Sequence, residues 1–377
     1  MKILSQIRKG NKKLYRRTLM KSTFKFYPNE SKIYDYLFLP SMIYYNEEKE
    51  ALKHNYNEHI SEDFKLLCSS ISTRLKSYKK VILKYYFEEV NLVFLLSCGH
   101  SFFSFSSVDD YLDYLLKLDD QEILKNIIYG LHLMESDGID NQEAKTLAES
   151  LIKDEEELIS WINTLNYSGN TKWQLLCFSK APKNNLQECI QLLKDLKPLF
   201  NEFYEQHEES IHVNGGEFIN RLNSIEGDSL SQVTNGVLKD SSIPGETKNI
   251  IISYFDSYTI QIHSVFTPNF VAWGIMLEKL FEQLIEQSEN ELLERILLFK
   301  NLGDKTRYEV LKCIAKGITS TKIIAEQLEV SSATISYHLS NLATCKLITL
   351  LRQEGRYHYA VNHDFIDQCF TDLKKDL

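Results

Sequence analysis

The sequence contains few of the residues that interrupt regular structure. Only 14 Gly and 6 Pro occur in 377 residues, whereas Leu, Ile, Lys and Glu are abundant. Because Gly and Pro are the residues least compatible with helix interiors, this scarcity favours helices over a β architecture with many turns. We therefore predict a mainly α fold with small β elements (α+β), divided into two or three domains.

Closely spaced cysteines are also absent. The chain has seven cysteines, no two of them closer than twelve residues. An odd, scattered set is neither a disulfide framework nor a zinc motif. We interpret these cysteines as reduced and mainly buried, and we expect no metal and no cofactor.

No apolar run is long enough to span a bilayer, and the N-terminus lacks the apolar core of a signal peptide. We therefore expect a cytoplasmic protein without a membrane partner. The first 25 residues hold nine Lys or Arg and no acidic residue. We interpret residues 1–21 as a basic N-terminal arm, either a poorly ordered extension or sequence that precedes a true start at Met20. Contact of this arm with nucleic acid or anionic lipid is the alternative interpretation.

Motifs of the common enzyme classes are missing. The sequence has no G-x-x-x-x-G-K-[ST], G-x-G-x-x-G, G-x-S-x-G or H-E-x-x-H. Cys98 and His100 are interpreted as a structural thiol and a surface imidazole. We therefore expect that the protein has no catalytic residues and is not an enzyme. An enzyme domain fused to a binding module stays an alternative, which a polar pocket with shifted pKa values in the N-terminal domain would support.

Apolar residues at helical spacing dominate residues 46–165, and residues 170–206 read as two helices separated at Pro182. Asn-Gly-Gly at 214–216 and the Gly/Ser/Asp-rich stretch 226–248 predict loops, the second with a hairpin. Strands are predicted at 22–27 and within 250–264. The predicted domains are the arm at 1–21, a helix-rich N-terminal domain at 22–273, a connecting helix at 274–300 that allows one break, and a C-terminal domain at 301–377.

The most specific pattern lies near the C-terminus. A helix at 305–316 ends at Gly317, and a short helix at 320–328 follows. A tight turn at Glu329-Val330 leads to a third helix at 332–344, for which Ser331 is the predicted N-cap. Two strands joined at Gln353-Glu354-Gly355 complete a winged helix-turn-helix.

The helix at 332–344 is predicted to read DNA. Ile335, Leu339 and Leu342 form its apolar stripe, with His338 at the edge, so that small polar side chains such as Asn341 point away from the core. Hydroxyl and amide groups suit base edges and phosphates. The predicted contacts of this helix are Ser332, Ala333, Thr334, Ser336, Tyr337, His338, Ser340 and Asn341. The predicted backbone and wing contacts are Thr321, Lys322, Arg352, Gln353 and Arg356.

Local charge favours the same interpretation. Residues 301–360 hold eight Lys or Arg against five Asp or Glu, a net +3, although the whole chain carries −9. A small basic module on an acidic body is typical of a protein that contacts DNA through one face.

Residues 302–361 resemble the winged helix of ArsR-type bacterial transcriptional regulators. The resemblance rests on Leu-Gly-Asp-Lys-Thr-Arg at 302–307 and on Ser331, Ser336, His338, Leu339 and Leu342. It implies a homodimer that binds double-stranded operator DNA and a small-molecule or protein effector that changes operator affinity. By the same analogy, a repressor is favoured over an activator. The resemblance then makes 301–377 the DNA-binding domain and 22–273 a regulatory, effector-binding or dimerisation domain.

The sequence departs from this family at several positions. Glu329 stands where a Gly is common in the turn. The Cys-x-Cys of metal-sensing members is replaced by Ile323-Ile324-Ala325, and His358, His363 and Asp367 do not reproduce the other metal site. We therefore expect no metal sensing. A winged helix that binds a protein instead of DNA stays an alternative, in which the outer face of 332–344 would be apolar or covered by another part of the chain.

Overall fold

The structure is a computed structural model that describes residues 22–45, 59–87, 90–135, 141–288, 291–353 and 356–376. The predicted basic arm at 1–21, including Met20, lies outside the described residues. The predicted fold class is confirmed: the chain is mainly α with small sheets, and a helix-turn-helix follows a helix-rich N-terminal region. No described helix is long and apolar enough to cross a membrane.

Helices make up most of the N-terminal region because its apolar residues recur every three or four positions. They are α1 (Pro28–Phe38), α2 (Glu62–Leu75), α3 (Lys79–Tyr85), α4 (Leu92–Gly99), α5 (Val108–Leu115), α6 (Asp120–Glu135), α7 (Asn141–Leu151), α8 (Glu155–Thr164), α9 (Gly169–Lys180), α10 (Pro182–Ser224) and α11 (Ser229–Val233). Short 3-10 turns occur at Leu39–Tyr44, Lys76–Tyr78, Phe102–Ser104 and Asp240–Ser242.

The 43-residue helix α10 begins at Pro182, as the sequence predicts, because Pro is tolerated in the first turn of a helix. The loop predicted at 214–216 is wrong, since α10 continues through it. A Cβ on Gly215 would lie 2.5 Å from the ring of Phe26 and 2.9 Å from Cγ1 of Ile252. Gly215 therefore allows the close approach of α10 to the sheet, which is a packing requirement and not a turn.

A four-stranded sheet contains β1 (Thr23–Phe26), β2 (Thr247–Ser253), β3 (Ile260–His263) and β4 (Phe270–Gly274) in the order β1-β2-β4-β3. β1 and β4 both run parallel to β2, and β3 is antiparallel to β4. The strands predicted at 22–27 and within 250–264 are therefore confirmed. The hairpin predicted in 226–248 is wrong: this stretch holds α11, whose first amides donate to the carboxylate of Asp240.

The chain continues as α12 (Leu277–Ser288), which packs into the apolar cluster of the N-terminal region. The C-terminal region then consists of α13 (Glu291–Leu302), α14 (Lys305–Ala315), α15 (Thr321–Leu328), α16 (Ser332–Thr344), β5 (Ile348–Gln353), β6 (Arg356–Val361) and α17 (His363–Asp376). Residues 274–300, predicted as a connecting helix that allows one break, contain α12 and most of α13. The buried apolar residues form two clusters, one drawn from residues 24–281 and one from residues 298–369.

A buried carboxylate ties α1 to the end of β2. Asp35 is fully buried, and it accepts hydrogen bonds from the hydroxyl of Ser253 (2.6 Å) and the backbone amide of Tyr254 (2.7 Å). Burial raises the pKa of Asp35 to about 7, although the hydrogen bond from Ser253 and that from Tyr254 oppose the shift. The folded protein therefore binds a proton at Asp35 at a pH where the unfolded chain does not.

We predict that Asp35→Asn removes a pH dependence of folding. The raised pKa makes the contribution of Asp35 to stability larger as the pH falls below about 7, by about 1.4 kcal/mol between about pH 8 and about pH 6. Urea unfolding followed by tryptophan fluorescence measures this change for the N-terminal region, which holds all three Trp residues. The prediction would be contradicted if the difference in the free energy of unfolding between wild type and Asp35→Asn were the same at about pH 8 and at about pH 6.

Candidate nucleic-acid interface

The helix-turn-helix is built from local caps and one left-handed residue. The hydroxyl of Ser331 accepts a hydrogen bond from the backbone amide of Thr334 at 3.0 Å, so the predicted N-cap of α16 is confirmed. Glu329 ends α15 with φ 55° and ψ 40°, the left-handed conformation that the turn requires. The predicted bounds of α14, α15 and α16 agree with the structure to within one residue.

The apolar stripe of α16 is also confirmed. Ile335, Leu339 and Leu342 are at most 2% exposed and belong to the second apolar cluster, together with residues of α14 and α15. Because all three lie on one side of the helix, their burial fixes which side of α16 faces outward.

Most of the predicted α16 contacts lie on that outward side. Ser332, Ala333 and Ser336 are exposed, and Thr334, Tyr337 and Ser340 are half-buried. On α15, Lys322 is exposed and Thr321 is half-buried. Their contact with DNA stays a prediction.

The predicted wing residues belong to the β5–β6 hairpin. Gln353 pairs with Arg356 next to the turn, and Arg352 pairs with Tyr357. The side chains of Arg352, Gln353 and Arg356 lie outside the described part of the chain, and their DNA contact stays a prediction.

Asn341 does not point away from the core, so this part of the prediction is wrong. Its side chain is 1% exposed, and neither its amide oxygen nor its amide nitrogen has a hydrogen-bond partner in the described structure. Positions three or four apart share a helix face. His338, Asn341 and Cys345 have this spacing and are all buried, so Asn341 lies on the buried face of α16. Burial lowers the pKa of His338, and the nearby Arg307 lowers it further, whereas Asp304 opposes this change.

The ring of Tyr337 is in contact with a residue that was not predicted to belong to the interface, Arg307. The guanidinium of Arg307 lies 6.0 Å from the centre of the Tyr337 ring. Arg307 is held in turn by Asp304, whose carboxylate lies 3.6 Å away, and by a hydrogen bond to the side-chain oxygen of Asn301. Asp304 and Arg307 belong to the motif on which the family resemblance rests, and that motif was the available signal for this role.

The N-terminal region lies against part of α16. A cavity of about 330 Å³ separates them, with Ser336 and Ser340 of α16 on one wall and Leu277, Phe281 and Tyr258 of the N-terminal region on the other. The hydroxyl of Ser242 also lies 3.4 Å from the backbone oxygen of Leu350 in β5. The covering by another part of the chain that a protein-binding winged helix implies is partial, since Ser336 stays exposed and Ser340 is half-buried beside the cavity.

Most of the described residues that line this cavity are apolar, and none of those described is acidic. That lining is not the polar, acid–base pocket of the enzyme alternative. A separate cleft in the N-terminal region is lined by Asp120, Ser179 and Lys180, so the enzyme alternative stays untested. Across the described ranges, no three His, Cys, Asp or Glu side chains are close enough to hold a metal ion. The absence of metal, cofactor and catalytic activity stays a prediction.

Comparisons with known proteins agree on a DNA-binding module. Residues 305–347 match the family model of bacterial regulatory proteins of the luxR family. A 76-residue segment is 29% identical to the arsenical resistance operon repressor of Staphylococcus xylosus and 26% identical to that of Staphylococcus aureus. Each alignment covers 20% of this chain and 73% of the repressor. No solved structure gives a significant match.

The C-terminal region carries a helix-turn-helix DNA-binding domain. The family match spans α14, α15 and α16, the three helices that the sequence predicts, and it ends before the β5–β6 hairpin. It supports a role in transcription regulation.

We predict that Glu329→Gly stabilises the helix-turn-helix. A non-Gly residue in the left-handed region is strained by about 1 kcal/mol, and Gly removes that strain. Hydrogen–deuterium exchange of the amides in α15 and α16 should then slow by up to about fivefold.

Glu326→Gly is the matched control. Glu326 is an equally acidic, exposed residue inside α15, where Gly costs about 1 kcal/mol relative to a good helix former. Exchange should therefore become faster in this variant. The same direction of change in both variants would show that the conformation of Glu329 is not strained.

Proposed function

We propose that the chain is a sequence-specific transcriptional regulator of ArsR type that binds operator DNA as a homodimer. In this proposal it is a cytoplasmic repressor without catalytic activity, and an effector lowers its affinity for the operator. The observation that carries the proposal is the position of α16: a capped helix with exposed small polar residues, on a helix-turn-helix followed by a β-hairpin wing.

The hairpin favours the ArsR type over the luxR type. The luxR-family match ends at residue 347, so it does not account for β5, β6 or α17. The two staphylococcal repressors are similar over 76 residues, a length that accommodates a complete winged helix.

An exposed apolar surface supports the homodimer. Ile296 and Phe299 of α13 and Phe370 of α17 are 38–50% exposed, and the rings of Phe299 and Phe370 lie 5.9 Å apart at a nearly right angle. Neighbouring exposed apolar side chains on a helical surface are typical of a contact that another chain covers. A two-fold dimer would also present two copies of α16 to two half-sites.

The direct test is fluorescence anisotropy of the purified full chain on the duplex upstream of its own gene. A scrambled duplex of the same composition is the control, and both are measured over a salt series from about 50 to about 200 mM. Preference for the native duplex, with affinity that falls steeply with salt, supports the proposal. Equal, weak binding to both duplexes would favour the protein-binding alternative.

We predict that Tyr337→Phe reduces discrimination between the two duplexes. Phe keeps the ring on which Arg307 lies but removes the hydroxyl, so a lost base contact should cost about 1–3 kcal/mol on the native duplex only. Arg356→Ala should instead weaken binding to both duplexes and reduce the salt slope by about 1.

Arg74→Ala is the control for the loss of one positive charge. Arg74 is exposed on α2 and pairs with Glu202, and neither residue belongs to the C-terminal region. This variant should bind both duplexes as wild type does. If Tyr337→Phe and Arg356→Ala behaved like Arg74→Ala, the assignment of α16 and the wing as the DNA-binding surface would be wrong.

We predict that Phe370→Glu converts the dimer to a monomer. A carboxylate in an apolar contact is desolvated without a partner, which disfavours association by several kcal/mol. Sedimentation velocity measures the change in mass. Leu66→Glu, at a position that is 67% exposed on α2, should leave the dimer intact. A wild-type protein that is monomeric at micromolar concentration would contradict the dimer itself.

A further inference from the structure

The cavity between the two regions differs from an ordinary surface cleft because both regions are needed to form it. The turn before β3 and helix α12 supply its N-terminal walls, and α16, β6 and α17 supply the others. Its volume of about 330 Å³ lies within the range of small-molecule sites in proteins. A ligand in it would contact both regions at once.

The chemistry of the walls restricts the ligand. Most lining side chains are apolar, and the described part of the lining includes no Asp or Glu. Among the described lining residues the cationic side chain is Lys346, whose ammonium lies 5.8 Å from the centre of the Phe365 ring. At the same wall, the hydroxyl of Thr259 is buried and has no hydrogen-bond partner in the described structure. These groups suit an uncharged, mainly aromatic or aliphatic molecule with one hydrogen-bonding group.

The cavity also involves the predicted DNA-binding side of α16. Ser336 and Ser340 line it, and both belong to the residues predicted to contact DNA. A duplex in contact with Ser336 and Ser340 would occupy the space that α12 and the turn before β3 fill. DNA binding at these residues therefore requires the N-terminal region to move away from α16.

We propose that this cavity is the effector site, that it takes an uncharged, mainly apolar small molecule, and that an occupied cavity holds the N-terminal region against α16 and prevents DNA binding. The proposal rests on the proposed function, since it names the site and ligand class of the effector. The ligand binds only the docked arrangement and DNA only the undocked one. Each must therefore lower the affinity of the other by the same factor.

The first experiment uses a matched pair of fluorescent probes. N-phenyl-1-naphthylamine is an uncharged aromatic amine, and 8-anilinonaphthalene-1-sulfonate has the same rings with an added sulfonate. Each is titrated with the full-length protein. We expect the uncharged probe to bind at one site per chain and more tightly than the sulfonate. Tighter binding of the sulfonate would overturn the proposed ligand class.

Val237→Trp tests the location. Val237 lines the cavity from the N-terminal side, so an indole at this position fills space that the probe needs. We expect affinity for the uncharged probe to fall by about tenfold or more, which corresponds to about 1.4 kcal/mol. Val213→Trp makes the same substitution at a half-exposed position on α10 and should bind the probe as wild type does.

Ile260→Trp fills the same cavity from β3 and replaces Val237→Trp if that variant does not fold. Unchanged probe binding in the folded cavity variant would overturn the location.

The second experiment measures the coupling. Saturating uncharged probe should weaken binding of the upstream duplex at least about tenfold in wild type and not in Val237→Trp, and the duplex should displace the probe to the same extent. Simultaneous binding without mutual effect would overturn the proposal while the proposed function stands. If no duplex binds, the proposed function fails, and the probe titrations still decide whether the cavity is a binding site.

Discussion

The packing of Ile335, Leu339 and Leu342 into the second apolar cluster is the constraint on which the function of this protein depends. These residues fix the orientation of α16, and they therefore also fix the direction in which the opposite side of the helix faces. That side faces the N-terminal region of the same chain across the cavity, and it is also the side predicted to contact DNA. Because the proposed DNA contact also uses Ser336 and Ser340, the fixed orientation of α16 would make the two contacts mutually exclusive.

The parts of the interface that the sequence predicted depend on residues close to one another in the chain. The cap by Ser331, the left-handed turn at Glu329 and the bounds of α16 all arise from interactions within a few positions. Periodicity likewise identified the apolar stripe, because a helix repeats its faces every three or four residues. Local rules of this kind operate in the same way in any fold, so one sequence was sufficient.

The parts that the sequence did not predict depend on contacts between distant segments. Gly215 resembles a turn residue until Phe26 and Ile252 are seen to pack against it. Asn341 resembles a surface amide, yet it is buried along the edge that His338 begins. Periodicity shows which face of a helix is apolar, but it does not show what covers the polar face. The cavity beside Ser340 could therefore not be predicted from the sequence, because its walls come from distant segments of the chain.

The charge distribution would oppose DNA binding by electrostatic repulsion, in addition to the steric obstacle that the N-terminal region presents. Residues 22–300 carry a net −18, whereas residues 301–360 carry +3. When the N-terminal region lies against α16, its negative field acts on the surface that would attract phosphates, at separations comparable with the Debye length of about 8 Å. In the proposed function, movement of the N-terminal region away from α16 would remove the steric obstacle and the electrostatic repulsion together. A ligand that holds the two regions together thus opposes DNA through both, and its antagonism should be strongest at low salt, where attraction and repulsion are least screened.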